Sequence, residues 1–290
     1  MSCNTRYLAH KWGLTSYIPG GNPYKTTAPL ASTKGHFVGK DGTSSPYLDM
    51  RVEFRNGIPA TDPSTLSKYV QYSDMALWLD ASDGSSVIKD SSNKVSQWAD
   101  KSGNGRHATT SLGSPTLNST SGPNNKPVIE IRRAGGVDAL SIGGTSFFAK
   151  EHYYVFRSVN ANFDYYGGVL GHGGPYPGSR QSNYLFENGQ NYFHSNILPG
   201  GVSKNGIALG GNFSLGTINQ FMIFKLTNTD TDVGPHSNYR VGTIADGNNW
   251  CASIDIAEIL AFSTSLSQEK ANEIEGYLAH KWGISMSKVL

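Results

Sequence analysis

The segment IDIAEILAFSTSLSQEKANEIEGYLAHKWG, residues 254–283, predicts a buried strand followed by a helix. Its first nine residues are apolar except for two acids, and a short apolar run of this kind is typical of a strand in a sandwich core. Further on, Ser267 can cap a helix and Gly283 can end it in the left-handed conformation. The apolar residues between them recur on one helical face, namely Ala271, Ile274, Leu278 and Trp282. We therefore expect one C-terminal helix that docks on a β-domain.

The composition of the whole chain favours an all-β protein. Glycine accounts for 34 of the 290 residues, well above the usual share of about 7%, and the chain contains 15 Tyr and 12 Phe. Short apolar runs such as MALWLDAS, HYYVFRSV and NQFMIFKLTN are separated by Gly, Pro, Asn or Ser. Runs of this length and spacing predict a β-sandwich.

The heptapeptide YLAHKWG occurs twice, at Tyr7–Gly13 and at Tyr277–Gly283. An isolated helix of about ten residues is marginal in water, whereas burial of Leu8 and Trp12 would contribute roughly 2 kcal/mol each, so we expect the first copy to dock. Three destinations remain open. The first copy could pack on its own sandwich beside the second copy, pack on a neighbouring subunit as a swapped element, or be left over from an upstream repeat.

The stretch between the first copy and the β-domain, residues 14–73, is rich in Pro, Gly, Ser and Thr and has no helical periodicity. A segment of this length usually lies on another surface, because alone it cannot bury enough apolar area to be ordered. The sequence thus predicts three parts: a duplicated helix tail at residues 1–13, an extended arm at 14–73 and a β-domain with its closing helix at 74–290.

Three segments together resemble the laminin-G-like, concanavalin-A-like jelly-roll family, in particular its bacterial and phage modules. These segments are LWLDASD, VSQWADKSGNG and residues 254–283, and the resemblance covers about residues 75–283. It implies an all-β, concanavalin-A-like jelly-roll β-sandwich with a C-terminal helix, here preceded by an extended N-terminal arm. The family's Phe-Asp-Gly-x-Asp-Asp turn appears as RRAGGVDALSI, which keeps Val137 and Asp138 but lacks the first acid.

The first thirty residues resemble the tail that often follows the closing helix in this family. That tail contains a Leu-Pro turn and then Pro-Tyr-Lys, and residues 7–29 read YLAHKWGLTSYIPGGNPYKTTAP, with Tyr24 in the Pro-Tyr-Lys position. The resemblance implies that the chain begins with the last element of one module and continues with a whole second module.

The stretch SIDIAEI resembles the Glu-x-Asp-x-x-Glu strand of laminarinase-type glycoside hydrolases, which share this fold. Retaining hydrolysis needs two carboxyl groups about 5 Å apart, one of them a nucleophile. Ser253 stands at the nucleophile position, so only Asp255 and Glu258 remain. We therefore expect no enzyme here, and we expect Glu258 to make a structural hydrogen bond in a core strand. The core residues of that strand would be Ile254, Ile256, Leu260 and Phe262.

Two kinds of ligand are considered, Ca²⁺ and carbohydrate. Calcium prefers six or more oxygen ligands, and hard oxygens in or beside turns are offered by Asp80, Asp83, Asp100, Asn104 and Asp138. The sequence assigns none of these as a ligand, so Ca²⁺ is an option and no other cofactor is expected. Carbohydrate could stack on an aromatic and amide-rich middle region, whose candidate residues are Tyr165, Tyr166, Tyr176, Arg180, Tyr184, Tyr192 and Trp250. The alternative is that these aromatics are core and cross-strand pairs.

Charge and hydropathy disfavour two classes of partner, nucleic acids and the membrane interior. The net charge is +2 with scattered Lys and Arg, which disfavours a nucleic-acid binder, and no apolar run approaches the 18 residues of a membrane span. The opening residues lack the apolar core of a signal peptide. Cys3 and Cys251 could pair only if the termini meet, and two unpaired thiols are favoured.

These observations favour a non-catalytic structural or decoration protein of a phage particle or surface assembly. Its sandwich would be displayed outward at the virion surface, and its arm would contact other subunits or a capsid or tail protein through Leu8, Trp12 and Tyr24. The alternative is a secreted or cell-surface lectin-like module that binds carbohydrate. A laminarinase-type glycoside hydrolase is the third hypothesis.

Overall fold

A computed structural model describes residues 74–133, 136–165, 167–172, 189–191, 199–209, 214–228, 239–243 and 251–287. The chain divides into two units, residues 1–61 and 62–290, and all the described residues belong to the second. The predicted helix tail and arm lie outside the described residues, and so do the predicted contact residues Leu8, Trp12 and Tyr24.

The described part of the chain consists of β-strands and one C-terminal helix, with a short 3₁₀ turn at Pro123–Asn125. The strands are β1 (Met75–Asp80), β2 (Val87–Lys89), β3 (Val95–Trp98), β4 (Ala108–Leu112), β5 (Thr116–Asn118), β6 (Val128–Ile131), β7 (Ala139–Ile142), β8 (Glu151–Ser158), β9 (Leu170–His172), β10 (Pro199–Lys204), β11 (Ile207–Ala208), β12 (Met222–Asn228), β13 (Tyr239–Val241) and β14 (Ile254–Phe262). The helix α1 spans Gln268–Trp282. The predicted all-β class with a C-terminal helix is confirmed.

The strands form two antiparallel sheets. The larger sheet has the order β11-β10-β12-β8-β14-β6-β5, and the smaller has the order β2-β3-β4-β7-β13-β9. Strand β1 also pairs with β14, along the half that β6 leaves open: β6 pairs with Ile254–Ile256, and β1 pairs with Glu258–Phe262. The first and last described strands are therefore neighbours in the larger sheet.

The larger sheet is buried on both faces. Its inner face shares one apolar core with the smaller sheet, to which Leu77, Trp98, Leu140, Phe156 and Phe224 contribute. Its outer face carries a second apolar cluster that α1 covers, with residues from β1, β8, β12 and β14. Because both faces are covered, consecutive residues of β8 and β14 are buried and show no alternation with exposed residues.

The central strand β14 is buried along its whole length and contains a β-bulge. Before the bulge, Ile254 and Ile256 face the inner core. The register against β8 then shifts between Ile256 and Glu258, so that Leu260 and Phe262 lie in the outer cluster under α1. The predicted core strand is confirmed, but its four apolar residues divide between two cores because a bulge inserts one extra residue and reverses the alternation.

Helix α1 begins and ends where the sequence predicts. The hydroxyl of Ser267 accepts a hydrogen bond from the backbone N–H of Lys270, and Gly283 closes the helix with φ 63°. A side chain at Gly283 would also collide with Asn124, since an added Cβ would lie 2.5 Å from its amide nitrogen. The four predicted apolar residues of the helix are all buried.

One buried histidine makes the core sensitive to pH. His152 on β8 has its Nε2 2.9 Å from the Ala149 carbonyl oxygen and its Nδ1 2.7 Å from the Tyr154 hydroxyl. The carbonyl can only accept, so Nε2 carries the proton and Nδ1 accepts from Tyr154. Burial lowers the pKa of His152 to about 4, and the hydrogen bond to Ala149 offsets only part of that effect.

We predict that the free energy of unfolding falls as the pH drops from about 6.5 to about 4. In that range the unfolded chain binds a proton at His152 that the folded chain does not, and the loss should reach on the order of 3 kcal/mol. Urea unfolding at a series of pH values measures it. The His152→Gln variant, which does not titrate there, should show a much smaller slope in this range, and an unchanged slope would contradict the assignment.

Candidate functional site

Within the part of the chain that the structure describes, a cluster of buried polar groups lies between β14 and α1, around the carboxylate of Glu258. This side chain is fully buried and accepts four hydrogen bonds. Its Oε1 accepts from the Trp78 indole N–H and the Tyr277 hydroxyl, both at 2.8 Å. Its Oε2 accepts from Lys281 Nζ at 2.9 Å and the Trp282 indole N–H at 2.6 Å. The predicted structural hydrogen bond of Glu258 is confirmed, and it is one of a set that occupies both oxygens.

A second carboxylate, that of Asp80, shares the ammonium group of Lys281 with Glu258. Lys281 Nζ also lies 2.8 Å from Asp80 on β1, and Lys101 Nζ lies 2.9 Å from Asp80 and 2.8 Å from Asp83. Burial raises the pKa of Asp80, but the attraction of Lys281 and Lys101 outweighs it, so the pKa is lowered. Burial and the nearby carboxylates of Glu258 and Asp80 raise the pKa of Tyr277 well above its ordinary value, so its hydroxyl remains a donor.

We call the side chains of Trp78, Asp80 and Glu258 the Glu258 site, because together they receive the C-terminal heptapeptide Tyr277–Gly283. Three of the seven heptapeptide residues donate to Glu258, namely Tyr277, Lys281 and Trp282. Leu278 is fully buried, Ala279 packs against the same cluster, and Gly283 ends the helix. Neither His280 nor Gly283 bonds to the Glu258 site or belongs to the cluster, and of these two His280 is the one with a side chain.

The residues of the hydrolase-like strand are all engaged in internal contacts. Asp255 is 1% exposed and pairs with Arg132 at 2.7 Å and Arg157 at 2.8 Å. Ser253 donates its hydroxyl to Asp164 at 2.6 Å. Because Asp255 and Glu258 are both buried, neither carboxylate is placed to reach a glycosidic bond.

The turn residues considered for calcium make hydrogen bonds or ion pairs within the protein. Asp100 accepts four hydrogen bonds and Asp138 accepts two from backbone N–H groups, while the amide of Asn104 donates to the backbone at the start of β1. Asp80 and Asp83 share the ammonium group of Lys101. Among the described residues, no group of three or more His, Cys, Asp and Glu side chains could hold a metal ion.

Of the candidate carbohydrate residues, Tyr165 is the one that lies among the described residues. It is half-buried, and the guanidinium of Arg133 lies 3.4 Å from its ring centroid, so a cation covers one face of this ring. The other candidates lie outside the described residues: Tyr166, Tyr176, Arg180, Tyr184, Tyr192 and Trp250.

The remaining reactive side chains in the described residues have structural surroundings. His107 accepts a hydrogen bond from the backbone N–H of Asp100 at 3.0 Å. Cys251 is a free, buried thiol whose pKa is raised to about 12 by burial, and Cys3 lies outside the described residues. In the part of the chain that the structure describes, no helix is long and apolar enough to cross a membrane.

Comparisons with known proteins return distant similarities. No family model matches the chain, and no curated protein matches it. Among solved structures, an arabinofuranosidase complexed with arabinofuranosyl-α-1,2-xylobiose has a TM-score of 0.37 and 14% identity over 68% of this chain and 52% of its own. Two GH54 α-L-arabinofuranosidase structures, a mutant soaked with 4-nitrophenyl α-L-arabinofuranoside and an enzyme soaked with a cyclic sulfate inhibitor, have TM-scores of 0.35 and 14% identity over 65% of this chain and 51% of theirs.

This chain therefore spans about half the length of each of these enzymes. Similarity at this level carries no argument about the activity of the chain.

The sequence singles out Glu258 but not the side chains that bind it. Trp78 is separated from Glu258 by 180 positions, and the pairing of β1 with β14 brings them together. The signal was the repeated heptapeptide, which contains Tyr, Lys and Trp donors at fixed spacing, but their common acceptor could not be identified without the fold.

We predict that Glu258→Gln lowers the free energy of unfolding by about 3 to 5 kcal/mol, the usual cost of breaking a buried ion pair. A carboxylate accepts at both oxygens, whereas the amide NH₂ of Gln would face donors that are now bonded to Glu258. Urea unfolding monitored by tryptophan fluorescence measures the loss. The matched control is Glu269→Gln in the exposed first turn of α1, for which we expect less than about 1 kcal/mol. Equal effects of the two substitutions would contradict the role of Glu258.

Proposed function

We propose that this chain is a non-catalytic structural protein of a phage particle or another surface assembly. Its β-sandwich is displayed outward, and its N-terminal arm contacts neighbouring subunits or a capsid or tail protein. In this proposal the two sheets have the connectivity of a concanavalin-A-like jelly roll of the laminin-G-like type.

The observation that carries the proposal is the state of the hydrolase-like strand. Its two remaining carboxylates, Asp255 and Glu258, are buried and bonded to cations and N–H or O–H donors of the protein itself. A carboxylate with both oxygens occupied in this way is a structural acceptor, since a nucleophile or general acid must reach the substrate. The sandwich thus has the character of a scaffold, and the distinctive part of the chain is the arm with its extra heptapeptide.

A second line of support is the contact chemistry of the C-terminal heptapeptide. In that copy Leu278 and Trp282 are fully buried, and they correspond to Leu8 and Trp12 of the N-terminal copy. The same side chains in the arm carry a comparable apolar area, which favours a contact surface over free solvent. We assign that contact to a neighbouring subunit, and we assign Tyr24, further along the chain, to the same interface.

The lectin-like alternative makes a different prediction about partners. It requires a sugar site near Tyr165, whose ring is stacked with Arg133, and it does not require the arm to bind another chain. Assembly and carbohydrate binding can therefore be distinguished by two measurements on the same purified protein.

We predict that the full chain forms a concentration-dependent oligomer in size-exclusion chromatography with light scattering. The double variant Leu8→Ala/Trp12→Ala should shift it toward the monomer by about tenfold or more in the association constant, because truncating a buried Trp at an interface is costly. The matched control is His10→Ala in the same heptapeptide, which should assemble like the wild type.

A glycan array and a reducing-sugar assay on β-glucans complete the test. Under the proposal the protein releases no sugar and shows no defined glycan preference. A monomer that binds one defined glycan would support the lectin-like alternative, and sugar release by the wild-type chain would contradict the non-catalytic assignment.

A further inference from the structure

The Glu258 site recognises a sequence pattern, and that pattern occurs twice in the chain. The site offers two acids and an indole: Glu258 binds a Tyr hydroxyl, a Lys ammonium and a Trp indole N–H, and Asp80 shares the same Lys. The apolar cluster around it receives the Leu that follows the Tyr. The pattern is therefore Tyr-Leu, two residues that make no bond to the site, and then Lys-Trp-Gly. From the Tyr to the Trp it covers about one and a half helical turns.

The N-terminal heptapeptide meets every one of these requirements. Tyr7, Lys11 and Trp12 stand where the donors Tyr277, Lys281 and Trp282 stand in the C-terminal copy. Leu8 and Gly13 stand at the positions of the buried leucine and the helix-ending glycine. The chain thus carries the pattern of this one site twice.

The C-terminal copy has contacts that the N-terminal copy lacks. Helix α1 also buries Ala271 and Ile274 in the outer cluster, and Glu275 accepts a hydrogen bond from Ser203. The position of Ile274 corresponds to Asn4 in the N-terminal copy. The C-terminal heptapeptide therefore occupies the Glu258 site with support from the rest of α1.

We propose that the heptapeptide Tyr7–Gly13 of one chain binds the Glu258 site of a second copy of this chain, in place of that copy's Tyr277–Gly283. The inference rests on the proposed assembly function and specifies the surface that the arm contacts. The incoming heptapeptide would supply the same three donors and one buried leucine, so the Glu258 carboxylate would have the same set of partners after the exchange as before it.

The balance of contacts favours a second copy as the source of the heptapeptide, and the length of the arm permits it. Within one chain the exchange would remove Ile274 from the cluster and form no new link, whereas between chains the same loss would be accompanied by a new inter-chain contact. Residues 14–73 separate the heptapeptide from β1 and, when extended, span up to roughly 200 Å, so the reach to a neighbouring sandwich is ample.

The charges are also complementary. Asp80, Asp83 and Glu258 supply three carboxylates, and two ammonium groups, those of Lys101 and Lys281, pair with them in the structure. When Lys281 leaves with the C-terminal heptapeptide, Asp80 and Glu258 lose one cation. Lys11 restores it, whereas an apolar helix without a cation at this position would leave buried negative charge unpaired, which is strongly unfavourable.

The test uses full-length chains in which the C-terminal heptapeptide is weakened. The open receptor carries Trp12→Ala and Trp282→Ala, and the closed receptor carries Trp12→Ala alone. A fluorescently labelled wild-type chain is the donor, and its binding is measured by anisotropy. We expect the donor to bind the open receptor about tenfold or more tightly than the closed one, and a Trp12→Ala donor to lose that gain. A His10→Ala donor, altered at the position that makes no bond to the site, should keep it.

Each other outcome has a definite meaning. Equal binding to open and closed receptors, with the wild-type chain still oligomeric, would overturn the exchange and leave the proposed assembly function standing. A monomeric Trp282→Ala chain whose stability depends on its own Trp12 at every concentration would also overturn it, because the heptapeptide would then serve its own chain. If Trp282→Ala prevents folding, the milder receptor pair Tyr7→Phe with and without Tyr277→Phe removes one donor to Glu258 and keeps the ring, with the same expected order of affinities.

Discussion

The burial of the Glu258 carboxyl group is the constraint on which the larger sheet and the helix both depend. A carboxylate without partners in an apolar interior is prohibitively unfavourable, so its four donors must be in place when it is buried. One donor, Trp78, comes from the first described strand, and the other three come from the last helix. The pairing of β1 with β14 and the docking of α1 are therefore coupled through a single side chain. An apolar residue at this position would allow the helix to dock in several registers, whereas a carboxylate with directional bonds specifies one.

The bulge in β14 is what brings this carboxylate to the helix. Strict alternation from Ile254 and Ile256 would place residue 258 in the inner core between the sheets, where no helix donor could reach it. The register shift after Ile256 moves Glu258 to the outer face and returns Ile259 to the inner core. An irregularity of the backbone thus decides whether this acid is satisfied. Bulges cost regular pairing, and this one is stabilised by the four hydrogen bonds that it makes available.

The sequence predicted those features that depend on neighbouring residues. The cap at Ser267, the left-handed Gly283 and the apolar face of α1 follow from local rules, and all three are confirmed. The all-β class followed from composition and spacing. The bulge, the order of the strands and the contact of Trp78 with Glu258 depend on pairing between distant segments, which has no local signature. The same limit explains why Asp255 and Glu258 resemble catalytic acids in the sequence although both are buried and paired in the structure.

The two copies of the heptapeptide can be compared position by position once the contacts of one copy are known. If the repeat preserved only an apolar helical face, the two copies would match at apolar positions and differ at polar ones. Here the polar Tyr and Lys recur together with the Trp, and these are the residues that reach the same carboxylate in the C-terminal copy. A helix that merely needs an apolar surface requires neither the phenol nor the ammonium. A common acceptor, a buried carboxylate with an acidic neighbour, accounts for the recurrence of the Tyr, the Lys and the Trp, and this constraint is stricter than hydrophobic burial alone.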